Sequence, residues 1–191
     1  MENLEPIQLA KKLRLIVYKI NHLASTEEER NRLINEYFIW VDYAEENGIQ
    51  LEQGIRLFEN YRKRTQRLRK RITKIIQSDS LFLTFTFTDK VLENTTQDTR
   101  QRYVRYFLNT ISSNYVANID FGKTNGREHY HAVCTISEKV NYNAWKYGAL
   151  NGVKVRKSSN PLALAKYINK FVHHATKDST CKSKIIYSRQ N

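Results

Sequence analysis

The sequence predicts an α+β protein in two parts, a helical segment followed by an antiparallel sheet with flanking helices. Three observations predict it. Apolar residues recur at helical spacing as far as Gln77; near Gln77-Ser78-Asp79-Ser80 the texture changes to apolar residues alternating with threonine; and two later alternating stretches are joined by a glycine-bearing turn. The domain boundary falls at that change, giving a basic helical domain over 1–78 and a second domain over 79–191. A chain of 191 residues suffices for one ordinary domain plus a small helical appendage.

In the first part, Leu13, Ile16, Val17 and Ile20 share a helix face, as do Ile34, Tyr37, Phe38 and Val41 in a second helix and Leu51, Ile55 and Phe58 in a third. Ser25 with Glu28 reads as a capping box opening the second helix, and Asn47-Gly48 as its stop. The third helix runs into Tyr61-Arg-Lys-Arg-Thr-Gln-Arg-Leu-Arg-Lys-Arg-Ile-Thr-Lys74, eight cations without an acid, while Leu68, Ile72 and Ile75 keep an apolar stripe. Such a run serves either as a solvated helix face or as a surface that tracks phosphates, with Arg64, Arg67 and Arg71 as candidate contacts.

The second part opens with Leu-Phe-Leu-Thr-Phe-Thr-Phe-Thr over 81–88, which puts Leu83, Phe85 and Phe87 on a packed side and Thr84, Thr86 and Thr88 on a polar one. A helix over about 97–110 carries Tyr103, Phe107, Leu108 and Ile111 inward. A strand over 114–121 follows, with Asn118 and Asp120 on the same side, and Gly122-Lys-Thr-Asn-Gly-Arg127 turns it back into the next strand as a hairpin. Asn160 and Pro161 open a last helix that extends to His174, and Lys184-Ile-Ile-Tyr-Ser188 forms a closing edge strand.

The net charge of +13 favours a phosphate-bearing partner, nucleic acid first and an anionic membrane surface second. No apolar run is long enough to span a bilayer, and the opening Met-Glu-Asn-Leu-Glu-Pro lacks the basic start and apolar centre of a secretory signal. A soluble protein of the cytoplasm, or of the nucleus in a eukaryotic cell, is therefore expected. Cys134 and Cys181 have no zinc-site spacing and are expected to be reduced.

The hairpin's second strand contains His129-Tyr130-His131, and strand alternation turns both imidazoles to one side and Tyr130 to the other. Two such histidines serve a metal or a solvated polar face. Asp120 can face them from the neighbouring strand, and a carboxylate with two imidazoles is a recurrent divalent-metal set. Ala-Asn-Ile-Asp-Phe-Gly-Lys-Thr over 117–124 imitates a phosphate loop, but a strand rather than a helix follows it, which argues against a nucleotide site. On the last helix Tyr167 and Lys170 share a face that His174 extends, while Leu164, Ile168, Phe171 and Ala175 can pack on a sheet; an ordinary amphipathic helix has the same pattern. Tyr142, Trp145 and Tyr147 suit either base stacking or a core, and His173 either an outer-shell or a surface role.

Together these stretches resemble the HUH endonucleases, and within them the single-tyrosine rolling-circle replication initiators. The strand from Phe82 to Thr88 looks like the family's first motif, His129-Tyr130-His131 like its histidine-hydrophobic-histidine motif, and Tyr167-Ile-Asn-Lys170 like its Tyr-x-x-Lys motif. The resemblance covers about 81–176 and implies a ferredoxin-like sheet with the metal on its face and the tyrosine helix beside it. It implies that Asp120, His129 and His131 hold Mg²⁺ or Mn²⁺, with Glu128 and Asn118 kept as alternative ligands because the family more often uses Glu, and His174 as a further outer partner. It implies that Tyr167 attacks a phosphodiester and keeps the 5′ phosphate, with Lys170 assisting. Single-stranded or hairpin origin DNA is the implied substrate, tracked by Arg127, Lys154, Arg156 and Lys157, with a separate helicase and a host polymerase as partners. A single-tyrosine transposase, a mobilisation relaxase and a non-catalytic DNA-binding regulator remain the alternatives, and the helical segment leaves room for homo-oligomerisation.

Overall fold

The computed structural model describes residues 4–122, 126–169 and 185–188. The chain divides into two compact units, 1–63 and 64–191. This division falls inside the third helix, about four turns before the change of texture at Gln77.

The first unit is helical. Helix α1 (Pro6–His22) starts on a proline at its first position, where the missing amide proton costs nothing. Helix α2 (Glu27–Glu46) is capped by Thr26, whose hydroxyl accepts from the Glu29 amide at 3.1 Å, while the Glu29 carboxylate accepts from the Ser25 amide at 3.1 Å. The cap therefore lies one residue beyond the expected Ser25 with Glu28. Helix α3 (Leu51–Ile75) completes the set. Leu9, Leu13, Tyr43 and Ala44 form the unit's core. A methyl at Gly54 would overlap the Pro6 carbonyl oxygen, so only glycine lets α3 approach the start of α1 this closely. Val17, Phe38 and Ile55, expected inward from spacing, are exposed, because Ile7, Leu9, Ala10 and Leu33 fill the interior instead.

The second unit is an antiparallel sheet of five strands in the order β4-β1-β3-β2-β5. The strands are β1 (Ser80–Thr86), β2 (Tyr115–Phe121), β3 (Glu128–Thr135), β4 (Leu150–Val155) and β5 (Ile186–Tyr187), with helices α4 (Asp89–Asn94), α5 (Gln97–Ile111) and α6 (Pro161–Ile168). The expected α+β class, with an antiparallel sheet, flanking helices and a preceding helical segment, is what the chain adopts. Helix α4 and strand β4 were not expected. Strand β4 reads Leu-Asn-Gly-Val-Lys-Val and lies at the sheet's edge with most residues exposed, so its pattern carries little apolar alternation.

The alternation in β1 sorts the sheet into two faces. Leu83, Phe85 and Phe87 join Ile119, Tyr130, Ala132 and Cys134 under Val104, Phe107 and Leu108 of α5. The opposite face takes Phe82, Val116 and Val133, covered by Leu68, Ile72 and Ile75 of α3 and by Ala165 and Ile168 of α6. The C-terminal turns of α3 thus belong with the sheet, which explains why the compact units divide at 63/64.

Candidate metal centre

The α3/α6 face is apolar at one end and polar at the other. Past Phe82, Val116 and Val133, the same strands present Thr84 and Thr86 from β1, Asn118 and Asp120 from β2, and His129 and His131 from β3. The ladders set Thr84 and Asn118 on either side of His131, and Thr86 and Asp120 on either side of His129. Gly122 N donates to the Arg127 carbonyl at 2.9 Å, and Gly126 has a φ of +64°, closing the β2–β3 hairpin that fixes this register.

Asp120 Oδ2 lies 3.6 Å from His129 Nε2 and 3.7 Å from His131 Nε2. One ligand atom from each of the three residues falls within 4.8 Å of the others, a span a single divalent ion can bridge after small side-chain adjustments. Their remaining atoms are occupied so as to aim these. His129 Nδ1 lies 3.0 Å from the Arg127 carbonyl oxygen, to which it can only donate, and that leaves Nε2 as its lone-pair nitrogen. His131 Nδ1 lies 3.1 Å from Thr84 Oγ1, and Asp120 Oδ1 accepts from the Phe121 amide at 2.9 Å. The donor set and its outer partners fit a metal. Asp120 and His131 are buried, and His129 is half-buried.

Helix α6 brings Tyr167 to this end of the face. Asn160 caps it, its side chain accepting from the Leu162 and Ala163 amides at 2.9 and 3.3 Å. The Tyr167 ring centroid lies 4.9 Å from that of His131 and 5.6 Å from that of Phe82, and the side chain is 46% exposed. Tyr130, between the two histidines in sequence, is the contrasting phenol. It points to the α5 face and is 1% exposed, and burial pushes its pKa well above the ordinary value, so it stays protonated and out of reach. Burial likewise pushes the Cys134 thiol up to about 12.

Two buried amides pin the end of α6. Asn118 Nδ2 donates to the Ile168 carbonyl at 2.8 Å, and Asn169 Nδ2 donates to Thr65 Oγ1 of α3 at 2.8 Å. These bonds flank Tyr167 and fix where its turn sits. Asn118, considered as a ligand, gives its nitrogen to the tyrosine helix, while its buried Oδ1, the atom that would bind a metal, makes no hydrogen bond. Glu128, the other alternative ligand, points through to the opposite face. There its carboxylate is held by Arg100, Nε to Oε1 at 2.9 Å and Nη2 to Oε2 at 2.6 Å, and this pairing raises the Arg100 pKa further. Lys170, His173 and His174 lie outside the described residues.

The expected DNA contacts divide. Arg71 donates to the Ser188 carbonyl at 3.0 Å and stands over the Tyr187 ring, holding β5 rather than facing solvent. Arg127 pairs with Asp89 and donates to the Phe87 carbonyl. Lys154 makes an exposed pair with Asp79 at 3.4 Å, while Arg156 and Lys157 are exposed in the turn after β4. Arg64 is half-buried and Arg67 exposed on α3. Trp145 belongs to the core, 5% exposed with Nε1 donating to the Thr86 carbonyl at 3.2 Å; Tyr147 stacks on Tyr103 with centroids 3.8 Å apart, and Tyr142 is exposed at its edge. Sequence reasoning missed the roles of Thr84, Thr65 and Arg100. The lone arginine on the inward stripe that continues through Val104 and Phe107 was a readable signal for Arg100; Thr65 left none, since its acceptor role depends on where α6 docks.

A family model described as replication-associated protein, of the ORF2 type, matches residues 80–176, just over half of the chain. The match begins at β1 and takes in β2 and β3, which carry Asp120, His129 and His131, and α6. No curated protein and no solved structure matches. Among the described residues, no helix is long and apolar enough to cross a membrane.

Proposed function

The chain belongs to this ORF2-type family of replication-associated proteins, and on that premise we propose that it starts replication by nicking and rejoining one DNA strand as a single-tyrosine HUH endonuclease. The observation that carries this reading is the convergence of Asp120, His129 and His131 on one sheet face with the Tyr167 ring 4.9 Å from His131.

Each requirement of phosphodiester cleavage has a residue. Asp120, His129 and His131 would hold a divalent ion, Mg²⁺ or Mn²⁺, which would supply Lewis-acid polarisation of the scissile phosphate. Tyr167 Oη attacks phosphorus, forming the tyrosyl O–P bond as the P–O3′ bond breaks. The phenolic proton is released as the departing 3′ oxygen takes one up, so the strand leaves with a 3′ hydroxyl suited to priming and a 5′ phosphate on the tyrosine. Attack by an incoming 3′ hydroxyl reverses the step and reseals the strand without a nucleotide cofactor. Lys170, three positions on in sequence, is assigned to neutralise the phosphate. Thr84 orients His131, and the bonds from Asn118 and to Thr65 hold the tyrosine helix at the distance the attack needs.

The reacting phosphate must lie against a sheet face beside a helix, which favours a single strand or extruded hairpin over intact duplex at this site. Arg156 and Lys157, beside the exposed edge strand β4, extend the path for its backbone. Strand separation and synthesis then fall to a separate helicase and a host polymerase.

The test is incubation with labelled single-stranded, hairpin-bearing origin oligonucleotides and Mn²⁺. Wild type should give a covalent protein–DNA band under denaturing conditions, absent with a chelator and lost in Tyr167→Phe. An undiminished band in Tyr167→Phe, or DNA binding with no covalent band in wild type, would leave a regulator or another enzyme class in its place.

A further inference from the structure

Between Glu59 and Asp79 the sequence holds eight Lys and Arg residues and no acid, so this short stretch carries most of a net charge of +13. The structure sorts these cations by side. Thr65, Leu68, Ile72 and Ile75 are the buried side of α3, and Arg71 is drawn aside to Ser188 and Tyr187. Arg67, Arg69, Lys70 and Lys74 are exposed. Arg67, Lys70 and Lys74 stand at successive turns, spread over about 10 Å of helix axis at 1.5 Å per residue, with Arg69 flanking them.

Like charges three and four apart destabilise a helix, and a bound polyanion offsets that repulsion along the whole row at once. The chemistry of the row also selects which polyanion. Proteins that hold a single strand combine cations with aromatic platforms for the bases, and residues 62–75 contain no aromatic side chain. Long cationic side chains make most of their contacts to duplex DNA at phosphate oxygens, which carry no sequence information. A helical row of long cationic side chains suits phosphates presented at regular intervals on the outside of a double helix.

We infer that the solvent side of α3 around Arg67, Arg69, Lys70 and Lys74 is a second DNA contact, a sequence-independent grip on duplex phosphates separate from the strand-cutting face. This rests on the reading of the partner as DNA. A grip of this kind holds the protein on duplex beside an origin while an extruded strand reaches Tyr167.

The experiment compares the full chain with the variant Arg67→Gln/Arg69→Gln/Lys70→Gln/Lys74→Gln. A control of equal net charge carries Lys11→Gln/Lys90→Gln/Arg102→Gln/Arg105→Gln. Affinity for a duplex of arbitrary sequence and for an oligo-dT strand of equal length is followed by fluorescence anisotropy across a salt series in EDTA, so that no cutting intervenes. Each phosphate contact contributes about 0.9 to the slope of log K against log salt, so the α3 variant should lose about 3.6 from the duplex slope, and the control should keep it. Over a fourfold rise in salt that difference amounts to about 150-fold in affinity. A change below about one unit, an equal loss in the control, or an equal loss on oligo-dT would overturn the duplex grip. Covalent adduct formation on single-stranded oligonucleotides is scored in parallel. Loss of the adduct in wild type would sink the cutting reading while leaving the duplex slopes to decide this one.

Discussion

On the α5 side of the sheet, Leu83, Phe85, Ile119, Tyr130 and Ala132 are buried in one continuous core, whereas on the other side the same three strands end in Thr84, Asn118, Asp120, His129 and His131. Strand alternation creates both faces from one set of residues, so a single register fixes the core and the site together. The faces also treat charge differently. Glu128 and Arg100 on the α5 side satisfy each other at 2.6 Å, and that pair is complete within the protein. Asp120 Oδ2 stands 3.6 and 3.7 Å from the two imidazoles, a spacing that one shared ion could bridge. On the proposed reading, one face is completed by folding and the other by a ligand.

The largest effect that can break this comparison is on the finished side. Arg100→Ala leaves the Glu128 carboxylate buried without its partner and should cost about 3–5 kcal/mol in urea or thermal unfolding. Arg100→Met combined with Glu128→Leu should recover most of that loss, since a buried pair is worth little more than well-packed apolar groups. If Arg100→Ala costs under about 1 kcal/mol, the α5 face is not the stability-bearing side described here.

A smaller effect concerns the seam between the apolar and polar ends of the site face. Asn118→Leu and Thr65→Val each remove one of the hydrogen bonds that pin α6, and each should cost about 1–3 kcal/mol because a buried polar group loses its partner. Thr65→Ser keeps the hydroxyl and should restore the bond. The reading that Tyr167 is positioned by these bonds adds a signature that instability alone does not give. Under conditions where each variant is fully folded, Mn²⁺ affinity measured by electron paramagnetic resonance should hold for Thr65→Val while covalent adduct formation falls at least tenfold. Equal losses in both would make Thr65 a general structural residue.

How much of this was legible in the sequence follows the same division. Leu83, Phe85 and Phe87 against Thr84 and Thr86 announced a two-sided strand, and His129, Tyr130 and His131 announced which side was polar, because period-two alternation needs no knowledge of neighbours. Asp120 followed from the hairpin. Strand β4 did not, since an exposed edge strand containing Gly152 has little apolar pattern to read. Val17, Phe38 and Ile55 misled because helical spacing defines a stripe but not its width, and other apolar residues, Ile7, Leu9 and Leu33 among them, closed the interior. The roles of Thr65, Thr84 and Arg71 depend on contacts across 104, 47 and 117 residues of chain, which local pattern does not encode.

The smallest effect on stability sharpens the comparison most, because it reverses what charge removal did on the α5 side. Asp120→Asn keeps a side-chain oxygen to accept from the Phe121 amide while removing a buried charge, so the metal-free variant should unfold within about 1 kcal/mol of wild type. What it should lose is the response to the ion. Wild type at an ion concentration about 100 times the dissociation constant gains about 2.7 kcal/mol, readable as a rise in Tm with added Mn²⁺, and Asp120→Asn should show little of that rise. The two measurements separate the possibilities. A metal-free variant as damaged as Arg100→Ala would make Asp120 a structural group like Glu128, and an undiminished Mn²⁺ response would remove it from the ligand set. Only a variant that folds like wild type yet is deaf to the ion matches a face completed by what it binds.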